Sequence, residues 1–104
     1  MTFAVRFSAA ADDDLTRLFD FLLDRAETVE DLDRAQAAIE AIRSAAQHQL
    51  AATPYSFRKT GKSPTRRELI IPFGATGYIA LYEIASPSSV LVLAVRHQRE
   101  EDYH

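Results

Sequence analysis

Two segments near the end of the chain are apolar at every position, and this pattern restricts the fold more than any other. They are residues 78–82 (YIALY) and 90–95 (VLVLAV), separated by a turn sequence at 86–89 (SPSS). A strand with one solvated face would place a polar side chain at every second position. We therefore expect two adjacent strands that are covered on both faces, by this chain or by a partner.

Three strands are predicted in the second half of the chain, at residues 68–73, 78–84 and 90–97. The connections between them are short and contain glycine, proline and serine, so the strands should form an antiparallel meander. A further strand is predicted at the start, over residues 2–7, where apolar and polar side chains alternate.

Helical periodicity fills the region between the first strand and the meander. Ser8 is a predicted N-cap for a helix over residues 9–26. Thr28 and Asp31 form an approximate capping box for a second helix that extends to about residue 51. The connection is so short that the two helices should form an antiparallel hairpin. Residues 53–65, with two prolines and a glycine, are predicted to be a loop.

The order of elements is β-α-α-β-β-β, which predicts an α+β fold with a helical hairpin packed on a small, mainly antiparallel sheet. The 104 residues suffice for one domain with one core, and we assign residues 1–104 to it. The absence of cysteine excludes disulfides and thiolate chemistry. No apolar stretch is long enough for a membrane span, so the expected location is the cytoplasm.

Charge is distributed unevenly along the chain, although the net value is only −3. Residues 12–33 hold nine acids against Arg17 and Arg25, a balance of about −7. Residues 58–68 hold five basic side chains against Glu68 alone. The overall acidity argues against a surface built to bind nucleic acid everywhere. The acids of the first helix are best explained as partners of the helix dipole and as a solvated face.

The sequence lacks the common catalytic and nucleotide-binding motifs, and neither a metal nor a cofactor is predicted. His97 and the terminal His104 are the remaining candidates for a pair of metal ligands, and they are weak ones. One group of polar side chains could meet where the last strand lies near the strand that begins at residue 66. They are Arg58, Lys59, Lys62, Arg66, Arg67, Glu68, Arg96, His97, Arg99 and Tyr103. Such a set could cleave RNA. On charge and spacing alone, however, we favour the interpretation that these side chains are strand-end and loop charges that keep a small domain soluble.

Four stretches together resemble the RelE/ParE superfamily of type II toxin-antitoxin toxins, and within it the ParE-like (plasmid stabilisation) branch. They are VRFSAAADDDL at 5–15, LAATP at 50–54 followed by Arg58, RRELIIPFGATGYIALYEI at 66–84 and VLVLAVRHQREEDYH at 90–104. The resemblance spans nearly the whole chain. It implies the same fold and a growth-arresting toxin that is neutralised by a cognate, ParD-like antitoxin in a hetero-oligomer, with operator DNA bound only through the antitoxin.

The ParE-like branch implies inhibition of DNA gyrase, without chemistry of the toxin's own. The resemblance then gives two predicted contact sets. Target contacts are predicted at Arg58, Arg66, Arg67, Arg96, His97, Arg99 and Tyr103. Antitoxin contacts are predicted on the helical hairpin and on the second face of the sheet, at Leu18, Leu22, Tyr78 and Tyr82.

The RelE-like branch implies the alternative of a ribosome-dependent mRNA endonuclease. Glu68, His97, Arg99 and Tyr103 would then be the catalytic residues. RelE-like nucleases usually have an arginine after the tyrosine of GYIALY, where this chain has Ile79, so we favour the gyrase inhibitor. A third possibility is a toxin fold that has lost toxicity and persists as a binding module.

Overall fold

The computed structural model describes residues 2–104 and contains two helices and one five-stranded sheet. The elements are β1 (Ala4–Phe7), α1 (Ala9–Arg25), α2 (Val29–Ala52), β2 (Arg58–Lys59), β3 (Arg66–Phe73), β4 (Thr76–Ser86) and β5 (Ser89–His97). The predicted α+β fold, with its helical hairpin and its mainly antiparallel sheet, is confirmed.

Both helices begin where the sequence predicts a cap. The Ser8 hydroxyl accepts the Ala11 N–H at 3.1 Å, and the Thr28 hydroxyl accepts the Asp31 N–H at 3.0 Å. The Asp31 carboxylate accepts the N–H of Glu27, the residue before the cap, at 3.0 Å, and this bond is the main reason why the pKa of Asp31 lies below its ordinary value. These caps satisfy N–H groups that have no partner within the helix.

The strand order across the sheet is β1-β5-β4-β3-β2. The first strand pairs parallel with β5, and the other three pairings are antiparallel. In the β3–β4 turn, Gly74 has a φ of +59°, a conformation that side chains disfavour. The meander predicted from the short connections is therefore present.

The predicted loop at 53–65 contains more structure than its composition indicates. Proline, glycine and hydroxyl residues signal turns, but the two residues of β2 pair with Glu68 and Arg67 on β3. On its other side β3 pairs with β4 from Arg66, opposite Glu83, so it begins two residues before its predicted start. A two-residue strand has no periodicity, so only its tertiary partner reveals it.

Side chains from α1, α2 and one face of the sheet form the core. Its buried members include Leu15, Leu18, Ile42, Leu50, Leu69, Ile71, Tyr78, Tyr82, Val90, Val92 and Val95. Burial raises the pKa of Tyr82 to about 12, and its hydroxyl donates a hydrogen bond to the Pro54 carbonyl. This bond attaches the turn after α2 to the sheet.

Tyr82→Phe is expected to lower the free energy of unfolding by about 1–2 kcal/mol, because the Pro54 carbonyl loses its buried donor. Urea unfolding monitored by circular dichroism measures the change. Tyr55→Phe is the control, because the Tyr55 side chain is exposed, and it should shift stability by less than about 0.5 kcal/mol. Equal losses in both variants would contradict a structural role for the Tyr82 hydroxyl.

The far end of β5 has no neighbouring strand on one side, and side chains of α1 take that place. The first strand pairs with β5 only from Ser89 to Val92. Beyond it, the Asp14 carboxylate accepts the Val95 N–H at 2.9 Å, and an Arg17 nitrogen lies 3.4 Å from the Val95 carbonyl oxygen. These contacts satisfy a strand edge that would otherwise be unpaired.

The sheet face turned away from the helices, here called the open face, is partly covered by the C-terminal segment, residues 98–104. Tyr103 donates to Glu68 on β3 at 2.6 Å, and the Arg96 guanidinium lies 5.1 Å from the Tyr103 ring centre. Ile79, which lies on β4 between those strands, is only 4% exposed. The cover expected over the second apolar face thus comes in part from this chain.

Candidate functional site

A groove of about 740 Å³ lies between α1 and the β3–β4 turn, at the end of the sheet where β5 stops. Its lining is Arg17, Leu18, Phe21, Leu22, Arg25, Arg34, Phe73, Gly74, Ala75, Thr76, Tyr78, His97, Arg99 and Glu100. Leucine and aromatic side chains supply its apolar surface, and four arginines surround them. A groove of this kind suits a ligand that is both apolar and anionic.

The positive charge of the groove is largely uncompensated. Arg25, Arg34 and Arg99 have no salt-bridge partner among residues 2–104. Arg17 has Asp14 at 3.7 Å and Glu100 at 2.7 Å. Arg17 and Arg25 are the two cations of the acidic segment 12–33, and both face the groove. The net acidity of the chain therefore conceals a local cationic site.

His97 lies in the groove wall with both ring nitrogens engaged. Nε2 is 3.1 Å from the Thr76 hydroxyl oxygen, and Nδ1 accepts the Arg99 N–H at 3.1 Å. With Nδ1 accepting, Nε2 is the ring nitrogen that can donate to the Thr76 hydroxyl. The ring also meets Tyr78 edge-on, with 5.4 Å between ring centres. Both ring nitrogens therefore already have a hydrogen-bond partner within the chain.

A second polar cluster lies on the open face around Glu68. One Glu68 oxygen is 2.9 Å from an Arg58 nitrogen, and the other accepts the Tyr103 hydroxyl at 2.6 Å. Burial, followed by this bond to Glu68, raises the pKa of Tyr103. The tyrosine therefore keeps its proton and donates it in a hydrogen bond to Glu68.

The seven predicted target contacts do not form one surface. Arg58, Arg66, Arg96 and Tyr103 belong to the open face, whereas Arg67, His97 and Arg99 lie on the helix side of the sheet. Arg66 lies 3.5 Å from Glu83, and Arg67 donates to the carbonyls of Tyr55 and Phe57.

The four residues of the nuclease alternative are likewise divided. Glu68 and Tyr103 meet on the open face, while His97 and Arg99 line the groove on the helix side. The register explains this separation, since Glu68 is opposite Leu81 and His97 is opposite Tyr78, three residues away along β4 and therefore on its other face.

Three of the four predicted antitoxin contacts, Leu18, Leu22 and Tyr78, line the groove. Tyr82 lies two strand repeats beyond Tyr78 on the same side of β4, is fully buried in the core and offers no surface to a partner. Leu18 and Tyr78 are each only 4% exposed, so Leu22 is the most accessible of the four. We therefore leave Tyr82 out of the contact set.

Sequence reasoning identified Arg99 but missed the other three groove arginines, Arg17, Arg25 and Arg34, and it missed Glu100. Two of these arginines could have been found from their spacing. Arg17 and Arg25 lie four residues on either side of Phe21, so all three share one face of the helix. The helical hairpin places Arg34 at the groove, and the turn after β5 places Glu100 there. Neither position can be inferred from local spacing in the sequence.

No helix within residues 2–104 has the length and apolarity to cross a membrane. In the same range, no three histidine, aspartate or glutamate side chains are grouped closely enough to hold a metal ion.

The chain matches, over residues 5–102, the family model described as ParE toxin of type II toxin-antitoxin system, parDE. Two similar proteins of Caulobacter vibrioides are Toxin RelE1 and Toxin RelE3. The first is 36% identical over 101 residues, which is 97% of this chain and 99% of the relative. The second is 37% identical over 97 residues, covering 93% and 96%.

Two solved structures share the fold. One is the chromosomal ParDE toxin-antitoxin system from P. aeruginosa, with a TM-score of 0.70, 12% identity and coverage of 92% of this chain and 96% of that chain. The other is the RelBE2 toxin-antitoxin complex from Mycobacterium tuberculosis, with a TM-score of 0.64, 19% identity and coverage of 96% and 95%.

Proposed function

We propose that this chain, which belongs to the ParE toxin family of type II toxin-antitoxin systems, arrests growth by binding and inhibiting DNA gyrase. In this proposal the toxin catalyses no reaction. Its open face contacts gyrase, and its groove holds a segment of the cognate antitoxin. The antitoxin, and not the toxin, binds operator DNA.

The observation that carries the proposal is the separation of the candidate catalytic groups. RNA cleavage by acid and base groups requires both to reach one phosphodiester. In this chain Glu68 and Tyr103 are on one face of the sheet and His97 is on the other. Ile79, the residue after the tyrosine of GYIALY, adds an apolar side chain where a nuclease needs a phosphate-binding cation.

The open face supports a protein target. Arg58, Arg66 and Arg96 lie on the same face of the sheet as Tyr103 and the exposed Ile70. Arginine and tyrosine are enriched among residues that dominate protein interfaces. The charges of Arg58 and Arg66 are partly compensated by Glu68 and Glu83, which suits a protein surface better than a bare phosphate backbone.

The groove supports an antitoxin segment that is acidic and apolar. Arg25, Arg34 and Arg99, which form no salt bridge within residues 2–104, provide the complementary charge. Phe21, Leu22 and Phe73 provide the apolar contact. Such a segment, disordered when free, would fold into the groove as it binds.

Purified toxin is expected to reduce DNA supercoiling by gyrase and to leave mRNA on translating ribosomes intact. Arg66→Ala should weaken the gyrase inhibition about tenfold through the loss of an interface arginine. Arg43→Ala removes an exposed arginine from the outer side of the hairpin and should leave inhibition unchanged. Cleaved mRNA together with normal supercoiling would refute the proposal.

The alternative is a ribosome-dependent mRNA endonuclease, favoured by the RelE names of the two Caulobacter relatives. The centre would then be Glu68 with its partners Tyr103 and Arg58, together with Arg96, which lies over the Tyr103 ring. The ribosome arm of the same experiment decides between the two. The third possibility, a toxin fold that has lost toxicity, is tested by inducing expression in a host that lacks the antitoxin. Unchanged growth would support it.

A further inference from the structure

The hairpin tip, residues 27–33 (ETVEDLD), presents acidic and apolar side chains together at the surface. Four of its seven residues are acids and none is basic. Val29 is 69% exposed and Leu32 is 43% exposed, and within residues 2–104 Val29 is the most exposed of the large apolar side chains. An apolar side chain in water is a source of free energy for any contact that buries it. The tip therefore combines negative charge with apolar surface that is available for association.

The groove beside α1 has the complementary chemistry. Arg25, Arg34 and Arg99 supply positive charge at its wall, and the half-exposed Phe21 supplies apolar surface together with Phe73. The acids of a tip would face these arginines, and its two exposed apolar side chains would face the two phenylalanines. The groove thus suits a segment with the composition of the tip.

The tip and the groove of one chain do not neutralise each other. Arg25 and Arg34 flank the tip in the sequence and line the groove, yet neither forms a salt bridge with an acid among residues 2–104. Arg25 instead lies 3.9 Å from the ring centre of Phe21. Both charged surfaces therefore remain available to another molecule.

The position of the tip allows a reciprocal contact between two copies of the chain. Because the residues that flank the tip are groove residues, the tip and the groove lie next to each other on one side of the molecule. A two-fold axis beside them would place the tip of each copy in the groove of the other. Such a contact is closed, so it forms a dimer and does not extend into a fibre.

We propose that two copies of this chain form a two-fold dimer in which each hairpin tip occupies the groove of the other copy. Opposite charges steer the encounter, and burial of the apolar side chains of tip and groove stabilises the contact. A second copy and an antitoxin segment would exclude each other from the groove, but the dimer itself does not require the proposed function. Because the charge pairs lie near the surface, salt should weaken the dimer.

Sedimentation velocity of purified wild-type toxin, without antitoxin, tests the dimer. The toxin is expected to change from monomer to dimer over about 1–100 μM at low salt, with a dissociation constant of about 10 μM. At about 1 M salt, where the screening length is short, the dimer should be at least tenfold weaker. Toxin that stays monomeric at about 200 μM and low salt would overturn the proposal.

Charge reversal at each of the two surfaces locates the contact. Arg25→Glu with Arg34→Glu reverses the groove, and Glu30→Lys with Asp33→Lys reverses the tip. Each double variant alone sets like charges against each other and should be monomeric. An equimolar mixture should form a dimer, because every groove again meets a tip of opposite charge. A misfolded variant could not regain association in this way, so a mixture that stays monomeric, or either variant that dimerises alone, would contradict the tip-and-groove contact.

The matched control for the tip variant carries Asp20→Lys and Glu40→Lys, which make the same change of net charge at exposed acids outside the tip and the groove. This control should form the dimer as the wild type does, and circular dichroism verifies the fold of every variant. Loss of the dimer in the control, to the same extent as in the tip variant, would indicate a general effect of charge and overturn the proposal.

Discussion

Toxin carrying both Arg25→Glu and Arg34→Glu is expected to escape neutralisation by the antitoxin while it still arrests growth. Both arginines are exposed, line the groove and have no salt-bridge partner among residues 2–104. Reversal of their charge replaces attraction by repulsion toward an acidic segment. Charge pairs at interfaces contribute enough that two reversals should weaken binding about 100-fold or more. Calorimetry on purified proteins measures the affinity, and co-expression measures the rescue of growth.

The matched control carries Arg6→Glu and Arg43→Glu, which make the same change of net charge at exposed arginines outside the groove. This variant should be neutralised as the wild type is. Arg25→Glu also removes a favourable charge from the last turn of α1 and a stacking contact with Phe21, at a cost of about 1 kcal/mol, so circular dichroism must confirm the fold. Equal loss of affinity in both double variants would indicate a general effect of charge and contradict the groove as the antitoxin site.

Much of the fold is predictable from this sequence because its local signals agree with one another. The caps at Ser8 and Thr28, the helical stripes and the apolar strands all indicate the same arrangement, and each is found within a few residues of its predicted position. The exceptions are the pairings at the sheet edges. The short β2 and the parallel contact of β1 with β5 depend on neighbours far away in the chain, which periodicity does not encode.

The candidate site was harder to predict because it depends on which face each strand residue takes. Arg66 and Arg67 are neighbours in sequence, yet one pairs with Glu83 on the open face and the other binds carbonyls on the helix side. A cluster read from sequence proximity is therefore divided by the sheet. For the groove arginines the opposite holds. Arg34 and Arg99 are distant in the sequence, yet they line the same groove in the folded chain.

Asp14→Ala is expected to be the most destabilising change among the acids of α1, with a loss of about 3 kcal/mol in the free energy of unfolding. Composition suggested that Asp12, Asp13 and Asp14 act alike as solvated partners of the helix dipole, but Asp14 is only 5% exposed. Its removal leaves the buried Val95 N–H without an acceptor and takes a carboxylate from Arg17. Urea unfolding measures the loss, and the exposed neighbour in Asp13→Ala should change stability by less than about 0.5 kcal/mol. Comparable stabilities of the two variants would show that the end of β5 is held by its other contacts, and that α1 does not stand in for a missing strand.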